Sequence, residues 1–285
     1  MYGYSRQAWY DRRRRRNQLV DDAIIVELVL AQRQRLQYVG GKKLYALLKP
    51  SLVEHGVTFG RDKFLAALGR HGLMQPRARR RGPQTTDSRH GYRRYPNLVK
   101  ELKITRPEQV WVSDMTYLRL RDGFCYLWLI TDAYSKRIMG YNVNKNATAE
   151  GSLRALRMAL GARQYDEELI HHSDRAKQYA SAAYVKMLRK AQVKISMTGD
   201  DHAAENAIAE RINRTLKYEF ALGETVERFT QMRHYVSKAI QVYNTIRPHL
   251  SCYMMTPEEA HKQANFERKK WSRKPQSFPQ IHKTI

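Results

Sequence analysis

The sequence predicts an α/β protein: a mixed five-stranded sheet with flanking helices, preceded by a small all-α helix-turn-helix-like domain. Three observations predict it. Over residues 106–222 apolar positions switch between strand and helix spacing in the order β-β-β-α-β-α-β-α. Over residues 1–75 the spacing is helical and the turns are marked by glycine. Residues 76–105 between them are rich in Arg and Pro, a poor core and a good extended linker. Residues 223–265 read as a helical extension and 266–285 as a basic tail.

The elements follow in order. Arg12 to Arg16 are five consecutive arginines, and Leu19, Val20, Ile24, Ile25, Leu28 and Val29 then recur at helical steps. Gly40 and Gly41 break this helix. Lys42 to Leu48 reads as a second helix stopped by Pro50, Ser51 to His55 as a brief helix, and Arg61 to His71 as another ended by Gly72. In the core, Val110 to Val112 opens a strand leading to Asp114. Asp122-Gly123 turns the chain into an apolar strand, Phe124 to Thr131, and Arg137 to Val143 is a third. Ala147 to Ala162 is a helix, Glu168 to His172 a strand, Ala180 to Ala191 a helix, Val193 to Met197 a strand and Ala204 to Tyr218 a helix. Thr225 to Asn244 is a long helix stopped by Arg247-Pro248-His249.

The net charge of +25 over 285 residues predicts a polyanionic partner, because each cation near a phosphate releases counterions. Charge alone does not separate DNA from RNA. Cys125 and Cys252 are the only cysteines, too few for a zinc site and consistent with a reducing, cytosolic setting. No 18-residue apolar run or signal-peptide pattern occurs, so a soluble intracellular protein without membrane contact is expected.

Three acids carry the expected chemistry. Asp114 follows an alternating strand start, Asp174 ends a strand in His171-His172-Ser173-Asp174, and Glu210 lies on a helix. Phosphodiesters repel nucleophiles. Two Mg²⁺ ions about 3.5–4 Å apart stabilise the attacking and leaving oxygens together, and a few carboxylates hold them. On the Glu210 helix, Asn206, Glu210, Asn213, Arg214 and Lys217 share one side, while Ile208, Ile212 and Leu216 lie on another. Asn206, Arg214 and Lys217 are therefore candidate DNA contacts, as are Lys42 and Lys43, the linker residues Arg77, Arg79, Arg80 and Arg81, and Arg247.

Patterning alone leaves rival acids open. Glu205 points away from Glu210 on an ideal helix, roughly 140° around it. Asp200 and Asp201 suit a helix cap. Asp132 suits a turn, and Glu219 leans toward the core and a basic partner. His171 and His172 beside a sheet-end carboxylate suit structural hydrogen bonds. Trp111 and Trp128 suit the core.

At these residues the chain resembles the B-frame transposases of the IS-three insertion-sequence family, within the integrase and transposase superfamily. The pattern Trp-x-x-Asp-x-Thr-Tyr is met by Trp111, Asp114, Thr116 and Tyr117, and His-Ser-Asp-x-Gly-x-Gln-Tyr by His172, Ser173, Asp174, Gln178 and Tyr179. Ala176 stands where Gly is usual. Asp-Asn-Ala-x-x-Glu is met by Asn206, Ala207 and Glu210, with Glu205 replacing the Asp. Tyr243, Asn244, Arg247, Pro248 and His249 match the tail pattern, followed by Thr256-Pro257-Glu258-Glu259, where either Glu fits. Tyr38 to Leu44 and Arg70 to Leu73 resemble the family's helix-turn-helix, with Val39 where Gly is common.

The resemblance implies a ribonuclease H-like integrase core with Asp114, Asp174 and Glu210 as catalytic metal ligands. It implies two Mg²⁺ ions, with Mn²⁺ able to substitute, and metal-dependent strand cleavage followed by 3′-hydroxyl strand transfer at the ends of an insertion sequence. The implied partners are double-stranded DNA, further copies of the chain and an A-frame protein, in the cytoplasm with the nucleoid. The alternatives are a catalytically decayed DNA-binding regulator and a ribonuclease H-like nuclease that cuts without joining.

Overall fold

The computed structural model describes residues 5–76, 94–199 and 206–263. The linker arginines Arg77, Arg79, Arg80 and Arg81, the acids Asp200, Asp201 and Glu205, and the basic tail lie outside the described residues.

Three helices form the first unit: α1 (Arg6–Arg33), α2 (Gly41–Glu54) and α3 (Arg61–Arg70). The first is longer than the apolar period implied. The Ser5 hydroxyl accepts from the Ala8 amide at 3.2 Å, and the five arginines continue the helix as its solvated early turns. The second corrects the reading that Pro50 stops a helix. It runs through Pro50 to Glu54 because Leu48 and Leu52, one turn apart, are both buried. One missing backbone donor at an exposed position costs less than losing that burial. Asp22 of α1 accepts from Arg70 at 2.7 and 3.0 Å and contacts His71 at 3.0 Å, which joins α1 to the end of α3.

The core sheet comprises β1 (Val110–Leu120), β2 (Gly123–Asp132), β3 (Ile138–Asn144), β4 (Ile170–Ser173) and β5 (Lys194–Met197), in the order β3-β2-β1-β4-β5. The first three strands are antiparallel neighbours, while β4 runs parallel to both β1 and β5. Helices α4 (Ala149–Gly161) and α5 (Ala182–Lys190) cover one face; α6 (Ala207–Glu219) and α7 (Phe229–Thr245) cover the other. Strand β2, between β3 and the central β1, shows why both faces are covered. Trp128 and Ile130 enter one core, and Leu127 and Leu129 enter the other. After α7 come a 3₁₀ turn, Leu250–Cys252, and α8 (Pro257–His261), which is capped by reciprocal contacts of Thr256 and Glu259.

The approach of α4 to β3 depends on Gly140. A Cβ there would lie 2.2 Å from the Ala155 carbonyl oxygen and 2.6 Å from the Ala159 nitrogen. Backbone cannot rotate aside as a side chain can, so α4 must lift from the sheet. Gly140→Ala is expected to lower stability by about 3 kcal/mol, the upper range for overpacking. Gly161→Ala, with nothing within 4 Å of the new methyl, is the control and should cost nothing. Equal urea midpoints for the two variants would refute the packing argument.

Candidate active site

The parallel pairing of β1 with β4 places Ser113 opposite Ser173. The next residues, Asp114 and Asp174, therefore emerge side by side where the two strands leave that ladder. Both are half-buried. Asp114 is held firmly: Oδ1 accepts from the Met115 amide at 2.9 Å, and Oδ2 from Asn213 Nδ2 at 2.7 Å. Asp174 Oδ1 accepts from the Ala176 amide at 3.1 Å. That bond needs only a backbone donor, so Ala in place of the family's Gly leaves it intact.

Helix α6 supplies the third acid. Asn206 fixes its start by donating Nδ2 to the Ser113 carbonyl at 3.1 Å, and Ile212 and Leu216 bury its apolar side. Glu210, Asn213, Arg214 and Lys217 line a cleft of about 1170 Å³ whose floor includes Asp114 and whose far wall includes Tyr38 and Gln75 of the helical unit. Glu210 is exposed in it. The shared side of α6 expected from spacing is thus the side that faces the cleft.

Electrostatics ties the three acids together. The Asp114 carboxyl is pushed up to about 7, first by burial and then by the negative charge of Asp174. The Asn213 and Met115 hydrogen bonds pull it down, and Glu210 pushes it further up. Among the described residues, however, no three His, Cys, Asp or Glu side chains form a ready metal cluster. Asp114 has both oxygens engaged by protein donors, and Glu210 stands out in the cleft.

The other candidates divide. Arg214 is exposed on the cleft, and Lys217 Nζ lies 4.5 Å from the centre of the Tyr117 ring. Lys42 is exposed. Asn206 is buried and occupied with β1. Lys43 and Arg247 lie in a junction between the helical unit and the core, where both pair with Glu219; Arg247 is only 3 % exposed. Both histidines are buried and structural in their contacts: His171 Nε2 meets the Ser113 hydroxyl at 2.6 Å and the Tyr184 hydroxyl at 2.9 Å, and His172 Nδ1 meets the Ser196 hydroxyl at 2.8 Å. Burial and the charge of His172 lower the His171 ring to about 3. Trp111 and Trp128 are core residues.

Sequence reasoning missed the role of Asn213 as the donor to Asp114. Its position three residues after Glu210 was a signal, since that spacing shares a helix side. It also missed a buried group formed by Glu108, Asp132 and His261, whose members come from three distant segments.

Residues 104–202 match the integrase core domain model, and residues 191–257 match a second integrase core domain model. The chain is 31 % identical over 234 residues to the uncharacterized 31 kDa protein of insertion element IS600 from Shigella sonnei, covering 80 % of this chain and 83 % of that protein. It is 32 % identical over 214 residues to transposase InsF for insertion sequence IS3A from Escherichia coli (strain K12), covering 74 % of each. Among solved structures, the HTLV-2 integrase catalytic core domain in complex with magnesium aligns with a TM-score of 0.45 at 15 % identity, covering 55 % of this chain and 97 % of that one. By its identity to these insertion-element proteins over most of their length, the chain belongs to the IS3-type insertion-sequence transposases with an integrase core domain.

Proposed function

We propose that this transposase cuts DNA strands at the ends of its insertion sequence and joins the freed 3′-hydroxyls to target DNA, using Asp114, Asp174 and Glu210. The observation that carries this reading is the side-by-side placement of Asp114 and Asp174 just past the last paired rung of β1 and β4, with Glu210 lining the same cleft as Asp114. Burial, and then the charges of Asp174 and Glu210, push the Asp114 carboxyl up. Carboxylates that repel one another at a solvent-reached site are best stabilised by divalent cations, and an all-oxygen donor set suits Mg²⁺ or Mn²⁺. Two such ions would stabilise the charge that develops on the attacking and leaving oxygens. Each Asp114 oxygen has a second lone pair beyond the one that Asn213 or Met115 occupies, so the donors present do not exclude a ligand.

The chain's own residues do the rest. In cleavage, water attacks the phosphorus and the 3′-oxygen leaves, taking up a proton to become a 3′-hydroxyl. In joining, that hydroxyl gives up its proton and attacks a target phosphodiester, whose own 3′-oxygen leaves and takes up a proton, so one phosphodiester replaces another. No protein nucleophile is required. Arg214 and Lys217 lie along the cleft wall to meet phosphates. The exposed Lys42 and the basic face of the helical unit supply further contacts, as expected of a helix-turn-helix reader. Two element ends imply two or more copies of the chain, and the A-frame product is a further proposed partner. Among the described residues no helix is long and apolar enough to cross a membrane, and action on DNA places the protein with the nucleoid.

The test is an element-end duplex incubated with the full chain, with and without the A-frame product, in Mg²⁺ or EDTA. Cut and joined products that require the cation are expected. Cutting without joining would support a nuclease, and binding without either would support a decayed regulator.

A further inference from the structure

Glu219 ends α6, some two and a half turns beyond Glu210 on the same helix. A carboxylate at a helix C-terminus opposes the helix dipole, so Glu219 does not serve α6 by itself. It is held from two other segments. Arg247, after α7, donates Nε and Nη2 to it at 2.7 and 2.8 Å, and Lys43 of α2 donates Nζ at 2.6 Å. The Glu219 backbone carbonyl also accepts from the Tyr38 amide at 3.3 Å. Phe220, Val242 and Ile246 of the core pack into the apolar cluster of the helical unit at this junction.

The junction is charged at a cost. Burial, then the charge of Arg247, lowers Lys43 to about 8; Arg211 acts in the same sense, and only Glu219 opposes them. Burial also works against charge on Glu219, but the hydrogen bonds and charge of Arg247, together with Lys43, hold its carboxyl below the usual range. Arg247 alone neutralises Glu219. A second, desolvated cation from the helical unit is thus surplus to charge balance, and what it adds is a directional tie between α2 and α6.

We propose that Glu219 is a positioning residue, which through Lys43 locks α6 to the helical unit and so sets where Glu210 stands in the cleft. This rests on the reading of Glu210 as part of the active site. The start of α6 is fixed by Asn206 on β1 and its middle by Asn213 on Asp114; the tie at Glu219 fixes its far end. Without it, the last turns of α6 can shift against the helical unit and pass part of that shift along the helix to Glu210, where a displacement of about 1 Å at a reacting group costs on the order of 10²-fold in rate.

The test uses Lys43→Met, Lys43→Arg and Glu219→Gln in the full chain. Rates of strand cleavage are measured against DNA concentration, and amide hydrogen exchange is followed in α6. Lys43→Met, which removes a desolvated charge, should fold as well as the parent. Its kcat should fall about tenfold with KM within twofold, and exchange over residues 214–219 should rise. Lys43→Arg should restore most of the rate, and Glu219→Gln should resemble or exceed Lys43→Met. Unchanged kcat and unchanged exchange in Lys43→Met would overturn the proposal, as would a rise in KM alone, the mark of a plain DNA contact. If the parent protein does not cleave DNA, the reading of the active site fails; faster exchange in α6 would then still uphold the tie, and unchanged exchange would refute it.

Discussion

Asp174→Asn is expected to abolish strand cleavage and joining, by about 10³-fold or more, while leaving the metal-free protein at least as stable as its parent. The activity loss follows from the proposed site, in which Asp174 is one of three anionic groups serving the reacting phosphate; losing even one neutral donor at an active site typically costs about 10²–10³-fold. The stability effect follows from Asp114, displaced upward from 3.8 to about 7 by burial and by Asp174. A carboxyl raised on folding keeps its proton where the unfolded chain has already released one. Stability therefore falls as pH rises from about 4 through about 7, and the penalty is complete above that. Each pKa unit corresponds to about 1.4 kcal/mol, so the full penalty is at most a few kcal/mol. Asp174→Asn removes one of its causes, and Mg²⁺ should offset the same repulsion in the parent. Urea midpoints in EDTA should decline between pH 5 and pH 8 in the parent, less steeply in the variant, and less steeply in the parent with Mg²⁺. Residual cleavage by the variant near the parental rate would remove Asp174 from the site.

Local periodicity made much of this legible. The side of α6 that carries Glu210, Asn213 and Arg214 follows from helical spacing alone, and it is the side on the cleft. The apolar run of β2 suits a central strand; the sheet instead places β2 between β3 and the central β1, and α4 and α7 still bury both its faces. Asp132 in its turn also followed from local chemistry: its Oδ2 accepts from the Ser135 amide at 2.6 Å and the Tyr134 amide at 3.1 Å. Glu219 was expected to find a basic partner, but the partners lie far away in sequence, at positions 43 and 247. No local period encodes such a pairing. For the same reason Lys43 and Arg247 read as surface cations until the fold buries them together. Pro50 misled because breaker rules weigh one lost hydrogen bond and cannot see that Leu52 gains a core.

His261→Ala is expected to be strongly destabilising, and it tests a cluster outside the cleft. Glu108, Asp132 and His261 are each no more than 1 % exposed. Asp132 is satisfied within its own turn and by the Glu108 amide at 2.7 Å. Glu108 accepts from the Gln164 and Tyr165 amides and meets His261 Nε2 at 3.1 Å. The other ring nitrogen, Nδ1, lies 3.0 Å from the Ser135 hydroxyl, which spends its proton on Asp132, and 3.9 Å from Asp132 itself. Both ring nitrogens are therefore engaged, and the ring is what separates two buried carboxylates. Arg163, 4.0 Å from Glu108, spends its guanidinium on the Tyr165 and Glu167 carbonyls. Removing the ring leaves the buried Glu108 carboxyl without one of its hydrogen-bond partners, which typically costs about 1–3 kcal/mol and more for a charged group. For a domain of this size that is on the order of 10 °C in melting temperature. The ring also anchors α8, whose His261 carbonyl accepts from the Tyr165 hydroxyl at 2.9 Å, so the loss should appear as fraying of residues 256–261 before global unfolding. His261→Gln keeps one donor toward Glu108 and should recover part of the stability. Asp132 pairs with Trp111, three rungs along the β1–β2 ladder from the Asp114–Leu129 pair, or about 10 Å. Strand cleavage well below the melting temperature should therefore stay within twofold of the parent. A melting temperature unchanged in His261→Ala would show that the two carboxylates do not need the ring between them.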